Sequence, residues 1–172
     1  MKAPSPRPAA DHELVVIAPL APISVGDHFE QGTVPLHLTT LPKIRVPQAN
    51  LSAVLTAFRR IANATKPMTA TAADYDHFGA AADVGVTTIE ISDQLRTLHL
   101  SLLEAARQAA ALPIQLAYHG DGYRPHVTHA HNGDRVCPGD SMDLTALAVL
   151  DCSRPLRSIT AFWPLGDQPP VT

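Results

Sequence analysis

The chain is expected to adopt an α+β fold: two lobes of mainly antiparallel sheet with flanking helices around a central groove. Strand-like runs rich in Val, Ile and Thr are joined by short turns, which favours antiparallel neighbours over parallel crossovers. Two stretches carry apolar residues at helical spacing, one in each half of the chain. Each half also holds one strand in which a His and a Thr stand two residues apart, and two lobes facing each other would bring those strands together.

A length of 172 residues suits one domain with a sizeable interior. Residues 13–165 are expected to form it as two pseudo-symmetric lobes, with a frayed Pro/Ala-rich segment over 1–12 and a loose tail over 166–172. Hydrophobic residues make up 45% and charged residues 17%, a globular composition rather than a disordered one.

Glu13 to Leu20 reads as the first strand, stopped by Pro19 and Pro22. Val34 to Leu41 is the second. From Asn50, an expected N-cap, the residues Leu51, Val54, Leu55, Phe58, Ile61 and Ala62 trace one face of a helix that ends before Pro67. Met68 to Tyr75 and Val84 to Ile91 read as a hairpin with its turn at Asp76 to Ala80. Ser92 caps a second helix whose Leu95, Leu98, Leu102, Leu103 and Ala106 share a face, until Leu112-Pro113 stops it. Ile114 to Tyr118 is expected to be a short strand, and His119 to Arg124 a loop. Pro125 to Ala130 is then a strand, Asn132 to Gly139 a loop, and Met142 to Leu150 and Leu156 to Trp163 two closing strands.

The second and the Pro125 strands carry the chemistry. Alternation on a strand puts His37 and Thr39 on one face with Leu38 on the other, and likewise His126 and Thr128 around Val127. With 9 His and 22 Ser plus Thr in the chain, about one His-x-Ser/Thr is expected by chance. His99-Leu100-Ser101 also matches, but residues two apart on a helix do not share a face, so it is set aside. The remaining two copies are both in strands, both follow a proline, and lie 126 − 37 = 89 residues apart.

Leu36-His37-Leu38-Thr39 and Tyr123-Arg124-Pro125-His126-Val127-Thr128 together resemble the paired motifs of the two-histidine (2H) phosphoesterase superfamily. That group includes the 2′-5′ RNA ligase-like proteins and the 2′,3′-cyclic nucleotide phosphodiesterases. The chain departs from the family in having Thr40 and His129, rather than an apolar residue, directly after each Thr. The resemblance implies metal-independent hydrolysis or transfer at a phosphodiester, commonly a 2′,3′-cyclic phosphate, with no cofactor. By analogy His37 is the general acid and His126 the general base, while Thr39 and Thr128 donate to non-bridging phosphate oxygens. An imidazole with a pKa near 6.5 can play either part near neutral pH.

Arg124 and Lys43 could offset phosphate charge, and Tyr123, Phe78 or Trp163 could stack on a base; of these, Tyr123 and Arg124 are the expected substrate-binding residues. His126-x-x-His129-x-His131 does not read as a metal site, because His129 and His131 face away from His126 on a continuous strand. His12, His28, His77 and His119 are expected in turns or on the surface.

The net charge is −3 and no basic run exceeds Arg59-Arg60, which argues against a long DNA partner and favours a small nucleotide or short oligonucleotide. The apolar run Leu14 to Ile23 is too short to span a bilayer and has no basic start, and Cys137 and Cys152 form no metal or redox motif. A cytoplasmic monomer is the resulting expectation. A nucleotide- or RNA-binding module that keeps the groove without turnover is the alternative to the enzyme.

Overall fold

The computed structural model describes residues 10–166; the expectations for residues 1–9 and 167–172 lie outside that range. Ten strands and two helices follow the order β1 (His12–Pro19), β2 (His28–Phe29), β3 (His37–Val46), α1 (Leu51–Ala64), β4 (Met68–Phe78), β5 (Val84–Ile89), α2 (Asp93–Gln108), β6 (Leu112–Pro113), β7 (His126–Thr128), β8 (Ser141–Leu144), β9 (Ala146–Asp151) and β10 (Arg157–Pro164). The strands lie in the sequence β2-β10-β9-β1-β3-β7-β5-β4-β8, with β6 added beside β3. The pairs formed are antiparallel, and the fold is α+β.

Both helices cover one face of the sheet. α1 buries Val54, Phe58 and Ala62, one turn apart, and stops at Thr65, which is extended ahead of Pro67. α2 starts where the Ser92 hydroxyl accepts the Leu95 N–H at 3.1 Å. Asp93 in its first turn and Arg107 in its last suit the helix dipole. Asn50 holds the cap position of α1 without capping it, because its side-chain amide instead donates to the Ala109 carbonyl at 2.9 Å and ties the two helices together. The main core lies between helices and sheet and includes Leu14, Val16, Leu38, Leu41, Phe58, Leu102, Val127 and Leu147.

A second cluster on the opposite face holds Ile17, Ala148, Leu150 and Ile159, roofed by Ile23, Phe29 and Val34 from the long connection between β1 and β3. β1 and β9 are therefore buried on both faces, which explains their unbroken apolar runs.

Three expectations are corrected. Ile114 to Tyr118 is no strand: only Leu112 and Pro113 pair with β3, and Leu116–Tyr118 winds into a 3₁₀ turn. The run Met142 to Leu150 is two strands, since β8 pairs with β4 while β9 pairs with β1 and β10. His12 is not frayed but opens β1, opposite Val46.

His12 has a partner on each ring nitrogen, Asp151 Oδ2 at 3.0 Å and Gln48 Oε1 at 2.6 Å. The Gln48 bond and the Asp151 carboxylate raise its pKa against the lowering effect of burial. A folded value above the unfolded one of about 6.5 means the contribution is complete below that pH and is lost as pH rises through the folded value. His12→Ala is therefore expected to cost about 1 kcal/mol at pH 6 and clearly less at pH 9, as read by urea melts at the two pH values.

Candidate active site

Leu38 and Val127 are fully buried in the main core and are register partners across β3 and β7. Their neighbours must then point away from the helices. One step along each antiparallel strand sets His37 opposite Thr128 and Thr39 opposite His126, so the four side chains form a rectangle with the histidines on one diagonal. Diagonal neighbours of this kind are rooted roughly 7–8 Å apart, a gap that a phosphate can fill.

The two imidazoles are held in the same way. His37 Nδ1–H donates to the Pro35 carbonyl at 2.7 Å, and His126 Nδ1–H to the Arg124 carbonyl at 2.8 Å. A carbonyl only accepts, so in each neutral ring the hydrogen is on Nδ1 and the lone pair on Nε2. Burial lowers the pKa of His37, with the proximity of a charged His126 adding to it and the Pro35 carbonyl opposing it. Burial likewise lowers His126, aided by the Arg124 charge and opposed by the Arg124 carbonyl. Thr39 is half-buried and Thr128 exposed.

Beside His126 the expected Arg124 and Phe78 are joined by Asp76, which the sequence did not single out. β4 runs on through Asp76 to Phe78, into the expected turn, and its register with β5 and β7 aligns Asp76, Val86 and Thr128 in one row. The Phe78 ring meets His126 edge-on, with centroids 4.7 Å apart. Arg124 lies over Phe78 at 4.5 Å and donates to Asp76 Oδ2 at 3.0 Å. Arg124 is thus an exposed guanidinium oriented beside His126. The Asp76 carboxyl is held low by the His77 backbone N–H and by Arg124.

Tyr123 occupies a different place from the one expected. It is 6% exposed, its ring is stacked on His99 at 3.9 Å, and its hydroxyl donates to the Thr39 carbonyl at 2.8 Å. A ring so enclosed has no free face for a base. Lys43 faces Glu13 at 3.6 Å instead of the site, and Trp163 packs against the main core.

His126, His129 and His131 do not converge. His129 Nε2 accepts from or donates to the Thr87 hydroxyl at 2.9 Å according to its tautomer; because that hydroxyl donates to the Val136 carbonyl at 2.7 Å, the ring nitrogen is the donor. The pair anchors the loop after β7 on the other side of the sheet. His131 packs on Gly32, whose φ of +84° and missing side chain allow the contact. His119 is buried rather than exposed, and burial with neighbouring His99 pushes its pKa down to about 4.

No curated protein matches the chain. Among solved structures, it is similar to Escherichia coli LigT complexed with NADP+, at 16% identity and a TM-score of 0.60, covering 92% of this chain and 99% of that one. LigT complexed with 3′-AMP gives 16% identity and 0.60, over 90% and 98%. A protein of Thermus thermophilus gives 15% identity and 0.58, over 91% and 100%. These likenesses establish the fold. The family model described as the 2'-5' RNA ligase superfamily matches residues 17–156, both His-x-Thr strands included, and the chain belongs to that superfamily.

Proposed function

We propose that the protein is a metal-independent phosphoesterase that opens a 2′,3′-cyclic phosphate on a nucleotide or short RNA, in a cytoplasmic setting. The observation that carries this reading is the rectangle on β3 and β7: two imidazoles of like tautomer, each beside a threonine, on one face. LigT has been crystallised with 3′-AMP, NADP+ and ATP, which supports a nucleotide-sized ligand here.

In the mechanism, one imidazole takes a proton from water through Nε2 as the water oxygen attacks phosphorus. The other, protonated, gives its Nε2 proton to the departing ribose oxygen, so the P–O bond breaks without forming an alkoxide. His126 is assigned as base and His37 as acid. Thr39 and Thr128 donate to the non-bridging oxygens as charge grows on them. Arg124, held by Asp76, adds a cation next to the phosphate.

Turnover needs one ring neutral and one charged, and the free-enzyme profile reports the macroscopic pKa values of the pair. Both histidines are lowered, so kcat/KM is expected to be bell-shaped with its maximum on the acid side of about 6.5. Activity should persist in EDTA. A profile still rising above about pH 7.5 would contradict the assignment.

The reading is tested by incubating the protein with 2′,3′-cyclic nucleotides, cyclic dinucleotides and short 2′-5′ and 3′-5′ oligonucleotides, and separating the products. Cyclic mononucleotides are expected to be opened to monoesters. Binding of these ligands without any product would instead identify a non-catalytic module.

A further inference from the structure

The third His-x-Ser sequence, His99-Leu100-Ser101, takes no part in the proposed chemistry, yet His99 is fully buried on the inner face of α2. Its Nδ1–H donates to the Thr40 carbonyl at 2.9 Å, and its Nε2 accepts the Gly120 N–H at 2.9 Å. The ring lies flat on Tyr123, at 3.9 Å and 5° between planes, and Tyr123 donates to the Thr39 carbonyl at 2.8 Å. One buried pair of rings therefore grips two successive carbonyls of β3, at Thr39 and Thr40, and the loop that becomes the second motif three residues after Tyr123.

The need for such a clip follows from the ladder. β7 is firmly joined to β5 over three register pairs, and flanked by the bonds Ile89 N–H to Pro125 O and His129 N–H to Gly85 O. Its pairing with β3 is a single pair, Leu38 with Val127. The two halves of the site meet at that seam, where the ladder supplies one register pair against the three that join β7 to β5. Buried hydrogen bonds with every partner satisfied add the missing geometric definition.

We propose that His99 and Tyr123 are positioning residues that fix the spacing and register of the His37-x-Thr39 strand against the His126-x-Thr128 strand. The clip requires a neutral His99, since Nε2 must accept, and burial with nearby Arg96 holds its pKa down against the Thr40 carbonyl. Burial also raises the Tyr123 pKa, keeping the phenol a donor. The proposal deepens the two-histidine reading and rests on it for the turnover readout only.

Two variants test it. Tyr123→Phe keeps the stacked ring and removes only the bond to Thr39, while His99→Phe keeps a ring on Tyr123 and removes both bonds to β3 and Gly120. Thermal melts establish folding, and imidazole NMR titrations of His37 and His126 read their environment without any substrate. Folded variants are expected to show displaced resonances and titration midpoints at both histidines. In an active protein kcat should fall about ten- to a hundredfold, with KM little changed.

Resonances and midpoints superimposable on those of the wild type would overturn the proposal, as would unchanged kcat in an active protein. Should His99→Phe fail to fold, Tyr123→Phe decides. If the wild type turns over none of the cyclic nucleotides but the imidazole signals still move, the functional reading fails and the positioning role stands.

Discussion

His37→Ala and His126→Ala are each expected to lower kcat/KM on a 2′,3′-cyclic nucleotide by about 10²–10⁴-fold, the usual span for one positioned acid or base. Neither change should unfold the chain. Each ring makes one hydrogen bond to a carbonyl two residues earlier, while the apolar contacts of the strands come from Leu38 and Val127 on the other face. The two losses should not multiply in the double variant, because an acid without its base no longer assists the same transition state. Equal melting temperatures with lost turnover would separate chemistry from folding. Losses that multiply fully would mean that the rings act independently, contrary to the proposed relay.

Gly122→Ala is expected to damage both stability and turnover. A Cβ there would overlap the Ala117 carbonyl oxygen, a backbone atom that cannot swing aside. The loop from Leu116 to Tyr123 would have to shift, at about 1–3 kcal/mol for overpacking. That corresponds to roughly 2–12 °C in melting temperature for a domain of this size. Because the next residue is Tyr123, the displacement passes to the Thr39 carbonyl and along the chain to His126, and kcat should fall by up to about a hundredfold. Gly133→Ala, outside the clip, is the control. Its φ is +92° and no atom lies within 4 Å of the added Cβ, so only a left-handed penalty of about 1–2 kcal/mol applies. A Gly122→Ala protein as stable and active as the wild type would show that the loop does not transmit position.

The motif strands are legible in the sequence because their signal is local: alternation about Leu38 and Val127 sets the face of each His and Thr, and the register of β3 with β7 then joins them. Both helices are legible for the same reason, from apolar residues one turn apart. The failures are non-local. Tyr123 stands before a motif and invites a stacking role, but His99 from the preceding helix covers its face. His99 itself carries a signal in the sequence: Leu95, Leu98, His99, Leu102 and Ala106 follow the apolar helical pattern, so a histidine in that row is a buried one. The Asp76-Arg124-Phe78 unit depends on how far β4 extends, and the weak alternation of Thr and Ala there does not set its end. Ile114 to Tyr118 shows the reverse error, an apolar run that leaves Leu116 and Tyr118 exposed because only Leu112 and Pro113 find a strand to pair with. The partner change between β8 and β9 at Thr145 is likewise invisible, because the residues on both sides of it read as one strand.

The most direct test of the two-histidine account is a ³¹P NMR time course of 2′,3′-cyclic AMP in EDTA, with the wild type and with the His37→Ala/His126→Ala double variant. The cyclic phosphate resonance is predicted to give way to a phosphomonoester with the wild type and to persist with the double variant. An unchanged cyclic resonance with the wild type, or equal conversion by the double variant, would contradict the account.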